Sequence, residues 1–349
     1  MPRITLKDVA KQAGVSFKTV SRVINHEPNV AVETYNKVNQ AIKELNYVPN
    51  QAARSLSRGK AKAIGLVTGW PVITPFTSTL IEQCLLESNQ DGYSMVLFFL
   101  EKDIAKKVVD AYLGKQVDGM ILDTNTAEDE ELTHQLNVLN IPYVVIHPNR
   151  KNGHTNASFI QIDNTEAAKQ AVDYLVILGH RSIGYITYRT GLNQEEERFL
   201  GYCQALEEAG LSACQGWVFK GQIDMPQLGY TGTVQLLHNH PELTAIFTET
   251  DDIALGVVSA VWQLGLKVPD DISVVGFDDI SYATMITPPL TTVHQPIVEI
   301  ARTAVKHLIN LIEDPSTKPI DLVMPTQLMV RDTCKPPRLE PVLVTARLQ

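Results

Sequence analysis

The chain has 349 residues, longer than one ordinary compact core, so two or three domains are expected. At 44% hydrophobic and 20% charged it has the composition of a soluble globular protein, and no apolar run approaches the ~20 residues of a membrane-spanning helix. The formal net charge of −9 is unevenly placed: residues 1–62 carry 11 Lys and Arg against 4 Asp and Glu, which leaves −16 on the rest, the pattern of a nucleic-acid-binding head on a body that binds something else.

The opening stretch, MPRITLKDVAKQAG, places charges where a secretory signal is apolar, so a cytoplasmic location is expected. Thr5 precedes a predicted helix, with Asp8 in its first turn. Leu6, Val9, Ala10 and Ala13 recur at helical spacing until Gly14 stops the helix. Ser16 then caps FKTVSRVIN, which buries Val20, Val23 and Ile24, and a third helix, ETYNKVNQAIKELN, buries Val38, Ile42 and Leu45. Three short helices, the first two separated by a Gly-containing turn, make a helix-turn-helix unit whose second member enters the major groove of DNA. Ser16, Thr19, Ser21 and Asn25 suit phosphate oxygens, while Lys18 and Arg22 reach base edges. Phe17 has two readings, contact with a thymine methyl or partial packing on a neighbouring helix.

In YVPNQAARSLSRGK, Pro49 marks a break and Asn50 caps a helix ending at Gly59. Its ~9 residues fall below the ~12–15 needed for marginal stability alone. Ala52 and Ala53 allow two copies to approach closely, and Leu56, flanked by Arg54 and Arg58, has nothing local to bury it. A minor-groove wedge suits that pattern better than a plain linker, where Leu has no use. The expected division is residues 1–48 for the DNA-binding domain, 49–61 for the hinge, and 62–349 for a ligand-binding and dimerisation core.

TLKDVAKQAGVSFKTVSRVIN followed by YVPNQAARSL resembles the LacI/GalR family of bacterial repressors, densely over the first 60 residues and in scattered motifs beyond. The resemblance implies double-stranded operator DNA, a small-molecule effector and a second copy of the chain as partners. It makes residues 16–25 the recognition helix and 50–58 the hinge helix, with Ala53 and Leu56 at the DNA and Leu56 the intercalating side chain. Phe17 and Lys18 fall at the family's most variable base-reading positions.

From Ala63, short apolar segments such as AIGLVTG, YSMVLFF, GMILDT, YVVIH, SIGYIT, TAIFTE and ISVVGFD alternate with amphipathic helical stretches. That alternation predicts an α/β body of parallel sheets covered by helices, in two lobes. The resemblance implies a core like that of periplasmic binding proteins, with three crossovers: one lobe over about 62–160 and 292–322, the other over about 161–291 and 323–340. Ligands of such sheets bind in the crevice at the carboxyl ends of strands. There the resemblance assigns Asp278, ending SVVGFD, and Arg198, in ERFLGYCQAL, as the main ligand contacts, with Asp224, Thr250, Pro75, Phe76 and Thr77 as further pocket residues. Asp251 and Asp252 are expected to cap the helix that follows them. His147 departs from the family pattern and either bonds a sugar hydroxyl or points away from the pocket.

Neither a catalytic motif nor a cofactor-binding motif is found, so an enzyme is not expected. Cys84, Cys203, Cys214 and Cys334 lack metal or redox spacing, and His238 and His240 read as solvated residues at a helix end. Adjacent Asp278 and Asp279 point to opposite faces of a strand rather than forming an acid–base pair. Residues 335–349 show no heptad repeat, so dimers without a tetramerising coiled coil are expected. The resulting expectation is a sugar-responsive transcriptional repressor. The alternatives are a two-lobed sugar-binding protein, which the basic head opposes, and an α/β sugar-processing enzyme with an appended DNA-binding head.

Overall fold

The computed structural model describes residues 4–24, 30–47, 60–69, 74–123, 128–147, 157–188, 193–211, 217–222 and 225–338. The chain divides into two compact units, with a boundary between Lys62 and Ala63.

The first unit contains α1 (Leu6–Ala13), α2 (Phe17–Ile24) and α3 (Val32–Glu44). Asp8 Oδ2 accepts from the Thr5 amide at 2.8 Å and from its hydroxyl at 2.7 Å, which fixes the start of α1. Gly14, at φ 65°, ends it in the left-handed region that a side chain disfavours. Ser16 Oγ accepts from the Thr19 amide at 3.1 Å and so caps α2. Val9, Ala10, Val20, Val23, Val38, Ala41 and Tyr47 form the small core. The periodic positions Leu6, Ala13, Ile24, Ile42 and Leu45 lie at its half-buried margin, and Tyr47, read from sequence only as part of the approach to the hinge, is inside.

The second unit opens with β1 (Ala63–Thr68), α4 (Pro75–Gln90), β2 (Ser94–Phe99), α5 (Ile104–Leu113), β3 (Met120–Asp123), α6 (Glu128–Val138), β4 (Tyr143–Ile146) and β5 (Ser158–Ile162). It continues with α7 (Asn164–Ile177), β6 (Ile183–Tyr188), α8 (Asn193–Glu208), β7 (Val218–Gly221), α9 (Met225–Asn239), β8 (Ala245–Thr248), α10 (Asp251–Gln263) and β9 (Ser273–Asp278). β10 (Thr291–His294), α11 (Ile297–Glu313), β11 (Asp321–Met324) and β12 (Gln327–Met329) complete it.

Two six-stranded sheets result, in the orders β11-β5-β4-β3-β1-β2 and β12-β10-β9-β8-β6-β7. The first is wholly parallel, and in the second only β12 runs antiparallel, against β10. Every residue of β1, β4, β6, β8 and β9 is buried, because helices cover both faces of a parallel sheet and leave no side of a central strand for water. β10 pairs with β9 from Thr291↔Val275 to His294↔Asp278, so the chain re-enters the first lobe with α11 rather than near residue 292.

The chain crosses between sheets at Asp163, at Gln295–Pro296 and at Pro325–Thr326. Two of these crossings leave the carboxyl end of a strand, β5 or β10, and lead within three residues into a helix of the other layer. Because each helix of a βα unit starts at the carboxyl edge of its sheet, Asp163 and Gln295 tie the two carboxyl edges together.

Candidate functional site

On the second sheet, Asp278 ends β9 and is 5% exposed. Its φ is 116° and that of Asp279 is 58°, a consecutive pair of non-glycine residues in strained backbone. The two carboxylates have separate partners. Asp278 Oδ1 accepts from Gln295 Nε2 at 2.6 Å, whereas Asp279 accepts from Arg331 Nη2 at 2.6 Å and lies 3.0 Å from His294 Nδ1. Burial pushes the Asp278 carboxyl up to about 7, against the pull of the Arg198 charge and the Gln295 amide.

Arg198, on α8, is also 5% exposed. Its Nε donates to Asn164 Oδ1 at 3.0 Å and its Nη1 to the Glu249 carbonyl at 2.6 Å. Asp278 Oδ1 is 3.9 Å from Nη2, and the Phe277 ring lies 3.7 Å from the guanidinium carbon. Burial opposes the charge of Arg198, but the carboxylates of Glu249 and Asp278 more than offset it.

Thr250 is the N-cap of α10, its hydroxyl accepting from the Ile253 amide at 3.4 Å. The expectation that Asp251 caps this helix is therefore corrected. Asp251 Oδ2 accepts from the Ile280 amide at 2.9 Å and Oδ1 from the Thr292 hydroxyl at 2.5 Å, which braces the turn after β9 against β10. A buried carboxylate with two good donors is tied down more firmly here than at a solvated helix end. Burial, then the nearby Asp278, hold its pKa well above the usual carboxylate range.

On the first sheet, Pro75, Phe76 and Thr77 form the first turn of α4, where Thr74 Oγ1 accepts from the Thr77 amide at 3.2 Å. His147 follows β4 with φ 55° and is 5% exposed; its ring centroid is 5.8 Å from that of Phe76, tilted by 49°. Its Nδ1 lies 3.4 Å from Asp123 Oδ1 at the end of β3. Since a carboxylate only accepts, Nδ1 carries the hydrogen, and in the neutral ring Nε2 presents a lone pair. Among the described residues, His147 Nε2, Thr68 Oγ1 and Gln295 Oε1 are buried without a hydrogen-bond partner. Such atoms are costly unless a ligand or water satisfies them.

In the head, Phe17 is 52% exposed and outside the helical core, so the packing alternative finds no support. Lys18 and Arg22 are exposed along the same helix, Ser21 is half-buried, and the hydroxyls of Ser16 and Thr19 stand 2.8 Å apart. Asn25, Asn50, Ala53, Leu56, Asp224 and Cys214 lie outside the described residues. Among the described residues no group of three or more His, Cys, Asp or Glu is placed to hold a metal ion, and no helix is long and apolar enough to cross a membrane.

The structure thus brings Arg198 together with Asp278, and His147 with Phe76, at carboxyl edges that the crossings join. Sequence reasoning missed Thr68, Asp123, Asn164, Glu249 and Gln295. Each is the last residue of a strand or follows one within two positions, so applying the strand-end rule to every strand would have found them.

Comparison with known proteins gives two family matches within the chain. Residues 5–50 match the model of bacterial regulatory proteins of the lacI family, and residues 172–334 match a periplasmic binding protein-like domain. The chain is 33% identical to the probable HTH-type transcriptional repressor ExuR of Bacillus subtilis (strain 168), over 95% of this chain and 98% of that one. It is 38% identical to the HTH-type transcriptional repressor PurR of Pectobacterium carotovorum subsp. carotovorum, over 88% and 90%. Among solved structures, it is similar to a complex of the transcriptional regulator CelR with cellobiose, with TM-score 0.72, 30% identity, and 95% of this chain and 100% of that one covered. A structure of the Lac repressor dimer bound to operator and the anti-inducer ONPF gives TM-score 0.84 and 27% identity over 95% and 99%.

Proposed function

The chain belongs to the lacI family of bacterial regulatory proteins, DNA-binding transcriptional repressors under ligand control, and from that premise we propose that its effector is a sugar or sugar derivative bound between the two sheets. The observation that carries this reading is a set of polar atoms at the carboxyl edges that are buried without partners among the described residues: His147 Nε2, Thr68 Oγ1 and Gln295 Oε1. A hydroxyl-rich ligand both donates and accepts, and so satisfies this set together with Asp278 and Arg198. The similarity to a regulator complexed with cellobiose supports the same chemistry.

In this reading Asp278 and Arg198 bridge adjacent hydroxyls, His147 accepts from another, and Phe76 lies against the ring. Pro75, Thr77, Thr250 and Asp224 shape the pocket. Two copies of the chain present two heads to a pseudo-palindromic operator, with α2 in the major groove. Thr5, Ser16, Thr19, Ser21 and Asn25 hold phosphates, Phe17, Lys18 and Arg22 read bases, and Asn50, Ala53 and Leu56 belong to a hinge in the minor groove. The protein works in the cytoplasm and acts by binding rather than catalysis. Ligand closure moves the lobes and alters hinge pairing, with a coupling of ~1–3 kcal/mol, or ~5–150-fold in operator affinity.

The test is fluorescence anisotropy of the full chain on duplexes from its own upstream region, with and without a panel of mono- and disaccharides. A sugar-dependent change in affinity of that size is expected; no change with any sugar would defeat the effector reading.

A further inference from the structure

The cluster around Arg198 contains a group with no role so far. Glu249 directly follows β8 and is completely buried. Its Oε2 accepts from the Thr187 hydroxyl at 3.0 Å and from the Tyr185 phenol, and both donors are themselves fully buried on β6. Oε1 stands 3.5 Å from Arg198 Nη1, the nitrogen that also donates to the Glu249 carbonyl.

We propose that Glu249 determines which effectors the crevice admits: by pinning Arg198 and cancelling its charge, it restricts the effector to an uncharged polyhydroxyl compound and turns away carboxylate and phosphate sugars. This rests on the reading that the crevice between the sheets binds the effector. A buried, unengaged guanidinium is a strong receptor for carboxylate and phosphate, because its fork matches their oxygens. Here two of its three nitrogens already donate within the protein and its charge is shared by two carboxylates. Nε donates to Asn164, Nη1 to Glu249, and the Nη2 side faces Asp278.

One positive charge is flanked by two carboxylates, so an incoming anion meets a cluster whose balance is negative or, with Asp278 protonated, zero. In a site screened little by water, that repulsion is far stronger than at an exposed surface. A hydroxyl instead donates to Asp278 and accepts from Nη2 without adding charge. Gln295 Oε1, buried beside Asp278 and unpartnered among the described residues, also calls for a donor, which a hydroxyl has and an ionised carboxylate lacks. Glu249 is buried with two donors, Tyr185 and Thr187, on Oε2, and with the Arg198 charge 3.5 Å from Oε1 to offset its desolvation.

The experiment is calorimetry and thermal shift on the full chain. The probes are cellobiose and hypoxanthine, together with methyl glucoside and methyl galactoside, each set beside its 6-carboxylate and 6-phosphate counterparts. A neutral sugar is expected to bind at least tenfold more tightly than its charged counterparts. Glu249→Gln narrows that ratio at least tenfold, whereas Tyr185→Phe, which keeps both charges, weakens all sugars alike. Tighter wild-type binding of a carboxylate, a phosphate or hypoxanthine overturns the inference but leaves the effector crevice standing. An unmoved ratio in Glu249→Gln also overturns it, and the wild-type ratio decides even where that variant does not fold. No shift with any probe overturns the crevice reading and this inference together.

Discussion

The side-chain amide of Gln295 donates to Asp278 Oδ1 at 2.6 Å, so a residue on a crossing between the two sheets is bonded directly to the carboxylate at the end of β9. Any ligand that moves Asp278 acts on the segment linking β10 to α11. Gln295→Ala is expected to leave sugar binding within about tenfold, as one hydrogen bond contributes ~0.5–1.5 kcal/mol. The sugar-dependent change in operator affinity should be lost. Anisotropy titrations with and without sugar check this, and a full response in the variant would refute the link.

Among the described residues, no protein group pairs with the buried His147 Nε2. His147→Ala should weaken effector binding roughly tenfold, through one lost hydrogen bond and the lost contact with Phe76. Operator affinity without sugar should be unchanged. Calorimetry gives the first quantity and anisotropy the second; equal sugar affinity in variant and parent would remove His147 from the site.

In the head, Phe17→Ala removes a side chain that is 52% exposed and outside the core. Stability should change by no more than ~0.5 kcal/mol. Discrimination between operator variants should change by ~1–3 kcal/mol at one base pair. Loss of stability without a change in base preference would instead mean that Phe17 packs.

Asp278 predicts a pH dependence. In the folded protein burial pushes its carboxyl up to about 7, against 3.8 for the ordinary side chain. Between about pH 4 and 7 the folded state therefore keeps a proton that the unfolded chain releases, and stability falls as pH rises through this window, flattening above it. Asp278→Asn should remove this part, so that stability lost between pH 5 and pH 8 shrinks by on the order of a few kcal/mol relative to the parent. Asp251 shifts in the same direction and stays in both proteins, which is why the difference between them is the informative quantity. Urea unfolding at the two pH values measures it; identical pH dependence would refute the assignment to Asp278.

Gly276 tests the brace under the site. A Cβ there would fall 2.1 Å from Asp251 Oδ1, the atom that accepts from Thr292. Gly276→Ala should cost more than ~2 kcal/mol, because a buried carboxylate must move off its donor. A melting temperature equal to that of the parent would show that the strand yields more cheaply than this geometry implies.

Local pattern settled a good deal before any tertiary contact was known. Thr5 with Asp8, Gly14, and the spacing of Val9, Val20, Val23 and Val38 determine the three helices of the head, because caps and periodicity act within a few residues. Alternating apolar runs determine the layered α/β class, and motif likeness alone singled out Arg198 and Asp278. What only the tertiary structure decided is which polar side chains meet. Glu249 reaches Arg198 across 51 positions and Thr292 reaches Asp251 across 41, so neither pairing leaves a trace in local spacing. The same holds for Tyr47, drawn into the head's core, and for β10, held in the second sheet by β9. Burial and charge pairing depend on how whole layers pack, and only the packed chain shows which carboxylate cancels the arginine and which is left near neutral pH.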